Sequence, residues 1–159
     1  MSFAAAVRTC LRKYVRISGR AGRAEYCWFF LAIILASLIA GVLDGIAGWG
    51  SEDEVGGLGA LVSLLTFMPS ITVLVRRLHD TGKPGYFLFL PYVGLVAGAG
   101  LLYALPDQIG WVGGGLVFVV VAVGFLVQLW WLIKPSDPGP NRFGPHPLAP
   151  EDGYEEVFR

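Results

Sequence analysis

The chain has 159 residues, enough for one domain, and 55% of them are hydrophobic while only 15% are charged. Soluble domains carry about 25% charged residues, so this composition argues against a soluble protein. The net charge is zero, and the two cysteines have neither disulfide-framework nor metal-ligand spacing. We therefore expect no nucleic-acid partner, no metal and no cofactor.

The first segment, residues 1–26, is predicted to contain a short basic amphipathic helix. Apolar residues recur in it at helical spacing, and Arg8, Arg12 and Arg16 repeat every four residues on another face. Such a helix is expected to lie in the membrane interface, with its cations among anionic phospholipid headgroups. A solvated helical tail is the alternative.

Four apolar segments without Asp, Glu, Lys or Arg follow, and each approaches the roughly 20 residues that cross a bilayer as a helix. They are residues 27–43, 58–75, 86–105 and 109–133. The predicted fold is therefore an all-α membrane protein in which residues 27–133 form a bundle of four transmembrane helices. The remaining segment, residues 134–159, is rich in proline and is expected to be extended or in turns.

The distribution of Lys and Arg predicts the orientation of these helices. All twelve lie in the N-terminal segment, in the loop between spans two and three, or in the C-terminal tail. The other two loops have none. The positive-inside rule then places both termini and the middle loop in the cytoplasm.

Candidate binding residues fall in three polar stretches on this predicted cytoplasmic side. The stretches read SGRAGRAEY, RRLHDTGKPG and PGPNRFGP, and in a helical bundle they would leave the membrane at one level and could meet in one layer. The candidates are Arg20, Arg23, Glu25, Arg76, Arg77, His79, Asp80, Asn141 and Arg142.

Two interpretations of such a layer stay open. Glu25 and Asp80 are the anions available to the arginines, and Asp80 is at helical spacing from both Arg76 and Arg77, which favours a structural clamp. Cations outnumber acids, and the planar fork of arginine suits phosphate, which favours binding of an anionic lipid headgroup or a soluble phosphate ligand. Adjacent residues diverge on a helix, so His79 and Asp80 do not form a catalytic pair, and we assign no catalytic residue.

A polar seam is predicted inside the membrane. Ser63, Thr66 and Ser70 lie three and four residues apart on span two, and Gln128 on span four is level with Ser70. We expect these side chains to join helices by hydrogen bonds, with Gln128 bonding near Ser70 or to the carbonyl that Pro69 frees. A small transporter or channel subunit is the alternative function, and a lipid-acting enzyme is the third.

Pairs of glycines spaced by four residues predict close helix packing. Gly94 and Gly98 form one pair in span three, and Gly41 and Gly45 form another near the end of span one. Such pairs serve contacts within a chain as well as contacts in a homo-oligomer, so both uses stay open.

The stretches GRAGRAEYCWFF, RRLHDTGKPGY and PGPNRFGP together resemble the signature of the "domain of unknown function 805" family, the YhaH-like bacterial inner-membrane proteins. Here Cys27 separates the Glu-Tyr pair from Trp28, where the family has Trp directly after the pair. The resemblance implies a small multi-pass protein of the bacterial inner membrane and supplies no activity. The leading functional hypothesis is a non-catalytic binding or regulatory module.

Overall fold

The computed structural model describes residues 1–49, 56–104 and 110–147, and the secondary structure in these ranges is helical, with no strand. The α-helices are α1 (Phe3–Arg12), α2 (Arg23–Ala47), α3 (Gly57–Asp80), α4 (Leu90–Ala104) and α5 (Gly110–Ile133), and a 3-10 helix (Gly85–Phe89) precedes α4. The predicted span ends at 105 and 109, and the part of the tail beyond 147, lie outside the described residues. The all-α prediction is confirmed.

Among the described residues, three helices are long and apolar enough to cross a membrane: Arg23–Ala47, Gly57–Asp80 and Val112–Ile133. The third predicted span is divided instead into the 3-10 helix and α4, which alone has 15 residues. Proline explains the division, because it has no N–H and is tolerated in the first turn of a helix but not in its interior. Pro91 accordingly occupies the second position of α4.

The long helices pack as two pairs, α2 with α3 and α4 with α5, and the pairs meet where α3 contacts the 3-10 helix and α5. Glycines allow the close approach of α4 and α5. A Cβ on Gly98 would lie 2.5 Å from the Val117 side chain, and one on Gly94 would lie 3.0 Å from Val120. This pair of glycines therefore serves a contact within the chain. No atom of the described residues lies within 4 Å of the Cβ positions of Gly41 and Gly45.

At the end of the α2–α3 pair away from the polar stretches, one carboxylate holds the two helices together. Asp44, near the end of α2, is buried, and its two oxygens accept the backbone N–H groups of Leu58 (3.0 Å) and Gly59 (2.8 Å) in the first turn of α3. The first N–H groups of a helix have no partner within it, and a carboxylate stabilises them and the helix dipole.

The N-terminal helix α1 is docked on α2 and α3. Ala6 and Cys10 are fully buried, and the ring of Phe3 meets Trp28 edge to face at 5.9 Å. Beyond its end, the Tyr14 hydroxyl donates to the Leu65 carbonyl at 2.9 Å. Leu65 lies four residues before Pro69, so Tyr14 occupies the carbonyl that this proline leaves without a helical partner.

Candidate functional site

The candidate site is a buried layer of charged side chains at the end of α3. Five side chains make up what we call the polar layer: Arg20, Glu25, Arg76, Arg77 and Asp80. Each is 6% exposed or less, and Arg77 and Asp80 are fully buried. As the sequence predicted, α3 continues through Arg76 to Asp80 and then stops, with Gly82 in the left-handed region at φ 72°. The last turn of α3 thus carries three of the five charges into the layer.

Asp80 is shared by two arginines. Its Oδ1 accepts the Arg20 Nε at 2.9 Å, while its Oδ2 accepts the Arg77 Nη1 and the hydroxyl of Ser136. Arg77 is three residues before Asp80 on the same helix, as the spacing allows. One buried carboxylate therefore links the segment before α2, the end of α3 and the tail after α5.

Arg77 also binds backbone carbonyls at the carboxyl end of α5. Its Nε donates to the Leu132 carbonyl at 2.9 Å, and its Nη2 donates to the Lys134 carbonyl. The last carbonyls of a helix have no partner within it, and a cation near them interacts favourably with the helix dipole. Every nitrogen of the Arg77 guanidinium has a protein partner, so the side chain ties α3 to α5.

Arg20 binds the tail in the same way. Its Nη1 donates to the Gly139 carbonyl at 2.6 Å and its Nη2 to the Asp137 carbonyl at 2.8 Å. Residues 136–144 cross the end of α3, where the N–H of Asp137 donates to the Asp80 carbonyl at 3.0 Å. The proline-rich tail is thereby fixed to the polar layer over this stretch.

Glu25 and Arg76 form the third ion pair of the layer, beneath α1. The Glu25 Oε1 accepts the Arg76 Nη1 at 2.6 Å, and the Cys10 thiol donates to the same oxygen at 3.7 Å. The Nε and Nη2 of Arg76 have no hydrogen-bond partner among the described residues. Burial, and then the Glu25 carboxylate, raise the pKa of Cys10 to about 12.

His79 and Asn141 meet beside the layer. The Nδ1 of His79 lies 3.2 Å from the Gly19 carbonyl, and its ring stacks on Phe143 at 4.0 Å with an interplanar angle of 1°. The Nδ2 of Asn141 donates to the His79 carbonyl at 2.9 Å. His79 is therefore engaged with the segment before α2 and with the tail.

Two of the candidate arginines lie outside the polar layer. Arg23 is exposed and forms no hydrogen bond or ion pair with the described part of the chain. Arg142 is exposed as well; its guanidinium lies 4.7 Å from the centre of the Phe143 ring, and its Nη2 donates to the Gly82 carbonyl at 3.4 Å.

The prediction that the polar seam joins helices through its hydroxyl donors is wrong. Ser63, Thr66 and Ser70 each donate to a carbonyl four residues earlier in α3 itself, at 2.9, 2.7 and 2.6 Å. Gln128 is buried, but its Oε1 has no partner in the described residues. A hydroxyl can always reach the preceding turn of its own helix, and here that nearby acceptor replaces the expected contact between helices.

Sequence reasoning missed four residues that the structure places at key contacts. They are Cys10 against Glu25, Tyr14 on the Leu65 carbonyl, Asp44 at the start of α3 and Phe143 beneath His79. Each has a feature in the sequence that could have indicated its role. Cys10 and Tyr14 lie on the apolar side of the N-terminal helical pattern, and Phe143 lies inside PGPNRFGP. Asp44 directly follows an apolar span and has no Lys or Arg near it in the sequence.

Long apolar helices and a charged layer at one end define a helical membrane protein. The chain belongs to the family described as "Protein of unknown function (DUF805)", whose profile matches residues 14–145. That stretch includes the whole polar layer and the tail up to Pro145.

Individual relatives agree with this assignment. The chain is 30% identical to "Inner membrane protein YhaH" and 31% identical to "Inner membrane protein YhaI", both of Escherichia coli (strain K12), over 86% of this chain and 91% and 90% of those proteins. It is 32% identical to "Uncharacterized protein YiiR" of the same organism, over 79% of this chain and 82% of that protein. No solved structure matches the chain significantly.

Proposed function

We propose that the chain crosses the bacterial inner membrane four times, with both termini in the cytoplasm. The 3-10 helix and α4 together rise about 32 Å, close to the roughly 30 Å of the hydrocarbon layer. Arg20 and the tail residue Gly139 are in direct contact, which supports an even number of crossings between them. The names of the relatives support the inner membrane as the location.

Cysteine labelling tests this orientation. Single cysteines replacing Glu52 or Asp107 should react with a membrane-impermeant maleimide from the periplasmic side of intact cells, and one replacing Lys83 should react only after lysis. Cys27 is exposed and would be changed to alanine in the background. The reverse pattern would overturn the orientation.

Within this topology we propose a non-catalytic binding module that holds anionic phospholipid at its cytoplasmic face. The observation that carries the proposal is the orientation of α1. Its buried side, with Ala6 and Cys10, packs on the protein, while Arg8 and Arg12 are exposed and Leu11 is 50% exposed. Cations beside exposed apolar side chains on one short helix suit a layer of anionic headgroups above acyl chains.

The polar layer supports this division of roles. Arg20 and Arg77 donate to Asp80 and to backbone carbonyls of the tail and α5, so they serve as a structural clamp. The clamp holds the segment before α2 in place, and α1 precedes that segment directly. The exposed arginines of α1, like the exposed Arg23, are then free to meet lipid.

Lipid retention tests this proposal. Native mass spectrometry of protein extracted from mixed phosphatidylglycerol and phosphatidylcholine nanodiscs should show phosphatidylglycerol enriched on the parent chain and much less on Arg8→Gln/Arg12→Gln. Each cation near a charged surface contributes about 1 kcal/mol, so the double variant should bind roughly 30-fold more weakly. Lys134→Gln/Arg142→Gln removes the same charge from another exposed part of the cytoplasmic face and is the matched control. Equal losses of bound phosphatidylglycerol in both double variants would mean that retention depends on the total positive charge of the face and not on α1.

A further inference from the structure

Arg76 has an unsatisfied edge in the interior of the protein. The residue is 1% exposed, and while its Nη1 donates to Glu25, its Nε and Nη2 have no partner among the described residues. These two nitrogens lie along one edge of the planar guanidinium. That edge binds carboxylate or phosphate through two parallel hydrogen bonds.

The buried charges of the polar layer are unbalanced in a way that favours binding of an anion. The layer holds three buried arginines but two carboxylates, since Asp80 is shared by Arg20 and Arg77. One positive charge is therefore in excess where the surroundings screen it poorly. A bound oxyanion at Arg76 would lower the net positive charge of the layer as a whole and satisfy the two free donors of Arg76.

Helix α1 covers the Glu25–Arg76 pair. Cys10 is fully buried and its thiol contacts the Glu25 oxygen that Arg76 also binds. Apart from the Tyr14 hydroxyl, the polar contacts beyond α1 are long, with the Thr72 hydroxyl 3.5 and 3.4 Å from the carbonyls of Lys13 and Tyr14. Apart from the burial of Ala6 and Cys10 and the Phe3–Trp28 contact, α1 is therefore held by few strong polar contacts, and moving it aside would uncover the Glu25–Arg76 pair.

We infer that the Nε–Nη2 edge of Arg76 is a receptor for a phosphate oxyanion, which binds when α1 moves off Cys10 and Glu25. Phosphate is the oxyanion concentrated at a membrane surface, and it fits the same fork whether it belongs to a lipid headgroup or is dissolved. The receptor is separate from the exposed arginines of α1.

Cys10 supplies a reporter for this motion. It is buried, and its thiol carries little thiolate at neutral pH, so it should react slowly with maleimide while α1 is docked. A ligand that binds only the open arrangement shifts the population towards it. Phosphate should therefore speed the labelling of Cys10.

The experiment uses the full chain with Cys27→Ala in phosphatidylcholine nanodiscs. Maleimide labelling of Cys10 is timed without addition, with inorganic phosphate, with chloride at equal ionic strength, and in nanodiscs containing phosphatidylglycerol. We expect a several-fold faster reaction with a phosphate source and no change with chloride. A response to phosphatidylglycerol alone identifies a lipid headgroup, and a response to inorganic phosphate as well identifies a site for the free ion.

Variants assign the effect to Arg76. Arg76→Gln and Arg76→Lys should both lose the response, since lysine keeps the charge but lacks the fork. Arg8→Gln/Arg12→Gln should keep the response to inorganic phosphate, which separates this site from lipid binding by α1. Labelling of the parent chain that is indifferent to every phosphate source would overturn the inference and leave a buried water as the partner of Arg76. If phosphate still speeds the labelling of Cys10 in Arg76→Lys, the paired hydrogen bonds of the guanidinium are not what binds the phosphate.

Discussion

The polar layer and the apolar helices beyond it are held together in different ways. In the layer, Asp80, Arg77 and Arg20 join α3, α5, the tail and the segment before α2 through ion pairs and bonds to helix-end carbonyls. Beyond it, α2 packs on α3 and α4 packs on α5. Charged side chains of the polar layer therefore connect the two helix pairs.

The difference follows from the solvent on each side of the boundary. Inside a bilayer, lipid is as apolar as leucine, so burying apolar side chains between helices provides little association, and close packing and hydrogen bonds must provide it. The pair α4–α5 uses glycines for this purpose. In the polar layer, the buried ion pairs of Asp80 and the bonds of Arg20 and Arg77 to backbone carbonyls provide a connection that apolar helices cannot.

The largest expected effect is in the layer. Asp80→Ala removes the one carboxylate that both Arg20 and Arg77 bind, and breaking a buried pair costs about 3–5 kcal/mol. Thermal unfolding in detergent should show this loss, together with faster proteolysis of the tail. Lys83→Ala is the control, because the contact of the Lys83 side chain among the described residues is a cation–π contact, 5.3 Å from the Trp131 ring centre, which should contribute about 0.5–1 kcal/mol. Similar melting temperatures for the two variants would mean that the layer is not a clamp.

Much of this layer could be predicted from the sequence, because an apolar chain has few positions at which charged side chains are stable. The position of the three polar stretches at one level, the continuation of α3 to Asp80 and the Arg77–Asp80 pair all follow from spacing and from the scarcity of anions. The sequence did not predict which arginine would form the ion pair with Glu25. That depends on how α1 covers Arg76, a contact between residues far apart in the chain.

Within the membrane the sequence was a weaker guide. Small and hydroxyl-bearing residues at helical spacing mark a face, but they do not say which neighbour the face meets. Gly94 and Gly98 meet α5, whereas the hydroxyls of Ser63 and Ser70 return to their own helix. The carbonyl freed by Pro69, one of the two partners predicted for Gln128, instead accepts the Tyr14 hydroxyl, because the segment after α1 lies against α3.

The next largest effect should come from the glycine contact between α4 and α5. Gly98→Leu places a side chain where even a Cβ would be 2.5 Å from Val117, and valine is too stiff to move aside cheaply. Overpacking of this kind costs about 1–3 kcal/mol. Gly100→Leu is the matched control on the same helix, since no atom in the described part of the chain lies within 4 Å of its Cβ position. Equal thermal stability of the two variants in nanodiscs would argue against the close approach of these helices.

A smaller effect is expected where α1 is tied to the α2–α3 pair. Tyr14→Phe removes the hydroxyl that donates to the Leu65 carbonyl and leaves that carbonyl without a partner, which should lower the free energy of unfolding by about 1 kcal/mol. It should also speed the maleimide labelling of Cys10, since α1 is held less firmly. Tyr92→Phe removes the same group from an exposed ring that contacts Phe125, and should change neither measurement.

The smallest expected effect, and the one most informative about the membrane interior, is at Gln128. Its buried Oε1 has no partner in the described residues, and an unsatisfied buried polar atom costs about 1–3 kcal/mol. Gln128→Leu keeps a similar volume and removes that atom, so the melting temperature should stay equal to that of the parent chain or rise. Gln128→Ala removes the same atom but leaves a cavity, and should lower it. If Gln128→Leu instead destabilises the protein by as much as Gln128→Ala, the amide must have a polar partner within the membrane. Ordered water reaching Gln128 would then favour the transport alternative, because a wet path past this residue is what a conduit requires.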